Sequence, residues 1–193
     1  MESHSNLEEL RKKVENCKRC SLWKTRKKVV FGEGPENAGI FLIGLGPGRN
    51  ENLHGKPFIG AAGKFLNHLL ALAGLSRKEV YITSVMKCYL PENRATKEQI
   101  KICERYLDMQ LEIVKPKVIL PLGSVALQYV AEKFNIELDR ISKVHGKLFN
   151  ARASWGKVKI VPMYHPAAAL RNGGLRKTLE EDWRKMRELL KNS

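Results

Sequence analysis

The sequence predicts an α/β fold: a three-layer α/β/α sandwich around a central, mostly parallel four-stranded sheet. Two observations point there. Short apolar runs rich in β-branched residues alternate four times with segments of helical periodicity, the pattern of parallel strands joined by crossover helices. The length, 193 residues, suits one compact domain covering 1–193, with a cysteine hook at 17–20 near its start.

Each element has its own signal. Residues 6–16 read as a helix, because Leu7, Leu10 and Val14 form one apolar stripe and Ser5 and Glu8 stand at capping-box spacing. Residues 21–37 look like a linker and hold the basic run Lys24-Thr25-Arg26-Lys27-Lys28. The run AGIFLI at 38–43 is a strand that ends in Gly44-Leu45-Gly46-Pro47-Gly48, and no helix is expected to begin at Arg49. A helix follows over 61–73, carried by Phe65, Leu66, Leu69, Leu70 and Ala73. Ser76 and Glu79 suggest a further cap, VYITSV at 80–85 a second strand, and 90–94 a turn. Thr96 and Gln99 open a helix to Val114 with a stripe of Ile100, Cys103, Leu107 and Leu111. Residues 117–122 form a buried strand and 125–134 a helix, and 157–164 contain the fourth strand. That strand runs into His165-Pro166-Ala167-Ala168-Ala169-Leu170, and the last helix covers 175–191. In such a sheet the ligand site lies at the carboxyl ends of the strands. The glycine loop at 44–48, Ser84 to Cys88, and His165-Pro166 all fall there.

The net charge is +15, with a pI near 9.8. A surplus of this size on a small domain points to a polyanion, nucleic acid first, or to a solubilising surface suited to a hot environment. Membrane insertion is not expected: the longest charge-free run, Val118 to Ala131, is 14 residues and contains Pro121 and Gly123. Met1-Glu2-Ser3-His4 leads into no apolar segment, so the expected location is the cytoplasm, in association with the nucleoid.

Several constellations carry chemistry. Cys17 and Cys20 are spaced C-x2-C, and Cys88 and Cys103 C-x14-C. With no export signal they read as thiolate ligands, either a tetrahedral zinc site or a [4Fe–4S] cluster, unless Cys103 is an ordinary core residue. The glycine loop lacks the sixth glycine of a dinucleotide fingerprint and the lysine of a phosphate loop. It is a tight turn, or a bare backbone that lets a ligand approach closely. His165 follows a strand and is held by Pro166, so its ring can donate to a developing oxyanion. Phe58, between Pro57 and Gly60, is a core aromatic or a platform for a stacked base.

FGEGPENAGIFLIGLGPG, GKPFIGAAGKFL, VYITSVMKC, the PENR turn and HPAAAL occur in this order. Together, over about Cys17 to Trp183, they resemble the family 4 uracil-DNA glycosylases, the iron–sulfur type of thermophilic bacteria and archaea. The resemblance implies a uracil-DNA glycosylase-like fold and excision of uracil from DNA after the base is flipped out of the stack. It implies that Cys17, Cys20, Cys88 and Cys103 hold a [4Fe–4S] cluster. His165 matches the motif histidine that stabilises charge on uracil O2, and Phe58 the residue that stacks on the base. Gly44, Gly46, Pro47 and Gly48 match the pocket loop, and Glu51 the carboxylate that excludes thymine. Ala169, Leu170 and Arg171 match the loop that enters the duplex, with Leu170 as the wedge. Two positions depart from the pattern. Leu45 stands where the family has the glutamate that positions the attacking water, and Ser84 where it has an asparagine that reads the uracil edge. The implied partner is uracil-containing DNA, single- or double-stranded. The protein is expected to act as a monomer, with a sliding clamp as a candidate protein partner. The alternative is a weakly catalytic or non-catalytic module on the same fold that binds uracil or abasic DNA.

Overall fold

The computed structural model describes residues 6–191. A five-stranded sheet, in the order β2-β1-β3-β5-β4, forms the middle layer. Its strands are β1 (Ile40–Gly44), β2 (Val80–Ser84), β3 (Val118–Pro121), β4 (Phe149–Ala153) and β5 (Gly156–Ile160). The first, second, third and fifth are parallel, and β4 pairs antiparallel with β5 at the edge. The expectation of four strands is therefore corrected to five. The additional strand, FNARA, is half-exposed along its length and carries Asn150 and Arg152 outward, so it lacks the apolar run of the buried strands.

The sheet is covered on both faces. The alternation of side chains sends Phe41, Ile43, Tyr81 and Ile119 to one face and Leu42, Ile82, Val118 and Leu120 to the other. Against the first lie α1 (Leu7–Glu15), α4 (Lys97–Val114) and α5 (Ser124–Phe134); against the second lie α3 (Ala61–Leu72), α7 (Pro166–Arg171) and α8 (Leu175–Lys191). The short helix α2 (Arg49–His54) lies between β1 and α3, and α6 (Ile141–Val144) between α5 and β4. Among the described residues no helix is long and apolar enough to cross a membrane.

Caps follow the sequence closely. Thr96 and Gln99 form the capping box of α4, and Ser76 and Glu79 cap a single 3₁₀ turn at Arg77–Glu79. Ser5 lies outside the described residues; the residue that caps α1 is Asn6, whose side chain accepts from the Glu9 N–H at 2.9 Å. A helix does begin at Arg49, contrary to expectation. Gly48 supplies its extended N-cap, and Gly55, at φ 74°, ends it after six residues. Asn52 is its one buried residue, so it shows no apolar period.

Candidate active site

The carboxyl ends of β1, β2, β3 and β5 open on one rim, and main-chain bonds beyond the strands keep their loops in register. Val85 and Met86 donate to Gly44 and Leu45, Leu122 to Ile43, and Gly123 to Met163. A cavity of about 120 Å³ lies at this rim. Gly46, Pro47, Gly48, Glu51, Phe58, Ser84 and His165 all line it. Gly44 lies beneath: a Cβ there would come within 2.7 Å of the Phe58 ring and 3.2 Å of Ser84 Oγ. The ring centroids of Phe58 and His165 are 5.5 Å apart, inclined by 30°.

Phe58 adopts φ 50°, a left-handed conformation that costs a side-chain-bearing residue roughly 1–3 kcal/mol. Its loop is held from both sides. Glu51 Oε1 accepts the Ile59 and Gly60 N–H groups at 2.9 and 2.8 Å. Arg77 donates to the carbonyls of Pro57 and, at 3.1 Å, Phe58, and pairs with Glu33 at 3.5 Å. Gly63 completes the fit: a Cβ there would lie 1.8 Å from the Phe58 oxygen.

His165 is the N-cap of α7, and the Ala167 N–H donates to its Nδ1 at 3.1 Å. An accepting Nδ1 places the proton on Nε2 in the neutral ring. Burial pushes its pKa down to about 4, and the nearby Arg171 cation pushes the same way against the opposing effect of Glu51. The group is thus a neutral imidazole at pH 7, with a fixed tautomer and one N–H to donate.

Leu45 does not line this cavity. It lines an adjoining space of about 240 Å³, together with Leu122, Ser124 and Arg171, that shares Gly46 and His165 with the first. In α7, Ala169 is buried against the α3–α8 layer, Leu170 is 52% exposed and Arg171 is exposed. Sequence reasoning missed two residues. Asn93 lines both spaces from a turn in which Glu92 and Asn93 both have positive φ. Lys87 is fully buried and donates to Thr83 Oγ1, the Ser84 carbonyl and Gln110 Oε1 at 2.6–2.7 Å, fixing the end of β2. Desolvation lowers its pKa to about 7. The charged residue inside the run Val85-Met86-Lys87-Cys88 is the signal that was available for it.

Cys17, Cys20, Cys88 and Cys103 line one small pocket on the α1–α4 side of the sheet. Cys88 Sγ accepts from Arg26 Nη1 at 3.3 Å and Cys103 Sγ from the Lys87 N–H at 3.4 Å. Burial raises the pKa of both thiols, so a bound cation is what would convert them to thiolates. Among the described residues, no three His, Cys, Asp or Glu side chains are arranged to share a single metal ion.

Residues 31–188 match the family model of the uracil DNA glycosylase superfamily. This chain belongs to that superfamily. Its relatives include a type-4 uracil-DNA glycosylase of Saccharolobus solfataricus, 44% identical over 187 residues, which covers 96% of this chain and 87% of that protein. The type-4 enzyme of Archaeoglobus fulgidus is also 44% identical, over 95% of this chain and 93% of its own length. That of Thermotoga maritima is 37% identical over 96% and 95%. Leu45 and Ser84 therefore stand in a chain that aligns with type-4 enzymes from end to end.

Proposed function

We infer that this protein is a monofunctional uracil-DNA glycosylase. It hydrolyses the N-glycosidic bond of deoxyuridine in DNA, releasing uracil and leaving an abasic site for repair. The observation that carries this reading is the meeting of Phe58 and His165 in the lining of one cavity at the sheet rim, in a member of this superfamily. An everted uracil stacks on Phe58, and base stacking of this kind is worth about 1–3 kcal/mol. As the C1′–N1 bond breaks, its electron pair moves onto the base and charge develops on O2. His165 Nε2–H donates to that oxygen, and the neutral ring suits the task because its proton position is fixed before the substrate arrives. Water adds to C1′, and one proton ends on the released uracil.

Ser84 offers the base edge a single rotatable hydroxyl. Glu51 lines the cavity where a 5-methyl group would intrude, and also holds the Phe58 loop. Leu170, exposed at the end of α7, is the wedge that fills the vacated stack, flanked by Arg171. Ala169 packs behind it. The water approaches from the adjoining space lined by Leu45, where no carboxylate activates it. Cleavage with a largely dissociative character depends more on stabilising the departing anion than on a base.

The four cysteines fit a [4Fe–4S] cluster. In a cubane each thiolate binds its own iron, so the ligands need not converge on one ion. The cluster would tie the 17–20 hook to the start of α4; the reaction takes place at the other site.

The test is release of base from oligonucleotides carrying uracil, hypoxanthine or thymine, read as alkali-labile sites. Uracil is cut and thymine is not; no release of any base by cluster-loaded protein would end the reading. Leu45→Glu is expected to raise kcat on uracil by tenfold or more, since a positioned base contributes about 10²–10⁴.

A further inference from the structure

We propose that Lys24, Lys27 and Lys28 carry the DNA strand that flanks the everted base, on the bank of the base cavity that Val30 lines. The proposal rests on the glycosylase reading and adds a phosphate-binding surface to it. The basic run is not uniform. Arg26 turns inward, where its guanidinium donates to the carbonyls of Cys17 and Glu15 at 2.8 and 2.7 Å and to Cys88 Sγ. The three lysines are exposed, and their ammonium groups have no partner among the described residues. Exposed cations so close together repel one another, and an anion along the bank relieves that repulsion.

The run is also fixed in place. Asn52 Oδ1, buried in α2, accepts the Lys27 N–H at 2.8 Å and the Lys28 N–H at 3.5 Å. The Val30 N–H donates to the Lys87 carbonyl at 2.9 Å, and Val30 is part of the wall of the base cavity. The lysines therefore stand only a few residues from that wall, on backbone already anchored before binding, so little ordering entropy remains to be lost. Exposed Arg49, next to the cavity glycine Gly48, extends the same bank. The nearby carboxylate of Glu51 is turned away into the Phe58 loop. A nucleic-acid strand is the partner this fits: a row of point charges on backbone that runs directly into the wall of a base-sized cavity.

The experiment measures binding separately from excision. Anisotropy titrations use a long undamaged duplex over a range of KCl concentrations. For K24A/K27A/K28A the slope of log K against log salt should become shallower by about 2–3, at about 0.9 per phosphate contact. A charge-matched control, K78A/K117A/K157A, removes exposed lysines at the amino ends of β2, β3 and β5, on the opposite rim. It should keep the wild-type slope. A uracil-bearing oligonucleotide of a few residues, too short to reach the bank, should be cut by the triple variant at the wild-type kcat. A triple variant with the wild-type slope would overturn the proposal. So would a control that loses as much, because net charge would then be the cause, or an equal loss on the short substrate, because the lysines would then act at the pocket. Absence of excision by the wild type would sink the glycosylase reading, and the slope comparison would still decide the bank.

Discussion

At the level of single residues the proposed reaction rests on His165, and the behaviour of that ring follows from one hydrogen bond and one cavity. The Ala167 N–H occupies Nδ1, so protonating the ring would require breaking that bond and placing a cation in a desolvated site. The pH dependence has a definite sign. The folded pKa is about 4 against an ordinary value of 6.5, so between these limits the unfolded chain binds more protons than the folded one. The contribution of this group to stability is complete above about pH 6.5 and is lost as pH falls toward 4. For the same reason kcat should show no histidine step near pH 6.5 and should fall only as pH approaches about 4; a step at 6.5 would show an ordinary, solvated imidazole. His165→Ala should lower kcat by about 10²–10³, the loss typical of removing one oxyanion donor, with a smaller change in KM. The position of this histidine after a strand was legible in the sequence. Its tautomer was not, because the group that fixes it is a backbone N–H whose direction depends on α7 starting at Pro166.

Between residues and the whole fold, the elements explain what could be read and what could not. The parallel strands β1, β2 and β3 are apolar on both faces and visible as runs, and with them came the rim where the site lies. β4 and α2 were missed for a shared reason: each is a mostly exposed element with few core contacts, so neither leaves a hydrophobic period. Missing α2 also hid the structural part Glu51 plays, since a helix starting at Arg49 turns that carboxylate toward the Ile59 and Gly60 N–H groups. The loop between α2 and α3 is sensitive to change, because the left-handed Phe58 is enclosed by Glu51, Arg77 and Gly63. Gly63→Ala forces its methyl group into the Phe58 carbonyl. It should destabilise the fold by about 1–3 kcal/mol, the usual cost of overpacking, and displace the Phe58 ring. Thermal melting checks the first effect, and a raised KM for uracil-containing DNA the second. An unchanged KM would show that Phe58 keeps its place without this packing.

For the molecule as a whole, the question is whether the cysteine site is needed for the fold or staples one that already exists. The packing favours a staple. Leu7, Leu10 and Val14 of α1 and Leu22 beyond the hook are buried in the same core as α4, and Arg26 bonds the hook to Cys88 independently of any metal. This differs from a small metal domain, whose folding energy comes from the ligands themselves. A cross-link from Cys20 to Cys88 closes a loop of about 70 residues, which by chain entropy stabilises by about 4 kcal/mol. A chain of this size shifts by about 2–4 °C per kcal/mol, so Cys17→Ser/Cys20→Ser should lower Tm on the order of 10 °C while leaving one cooperative transition. If the four cysteines hold the proposed cluster, the variant should bind no iron, become sensitive to protease between α1 and β1, and still cut uracil at low temperature, because Phe58, Ser84 and His165 are held by other elements. An unfolded variant would show that the cluster organises the domain, and an unchanged Tm that the cysteines hold nothing.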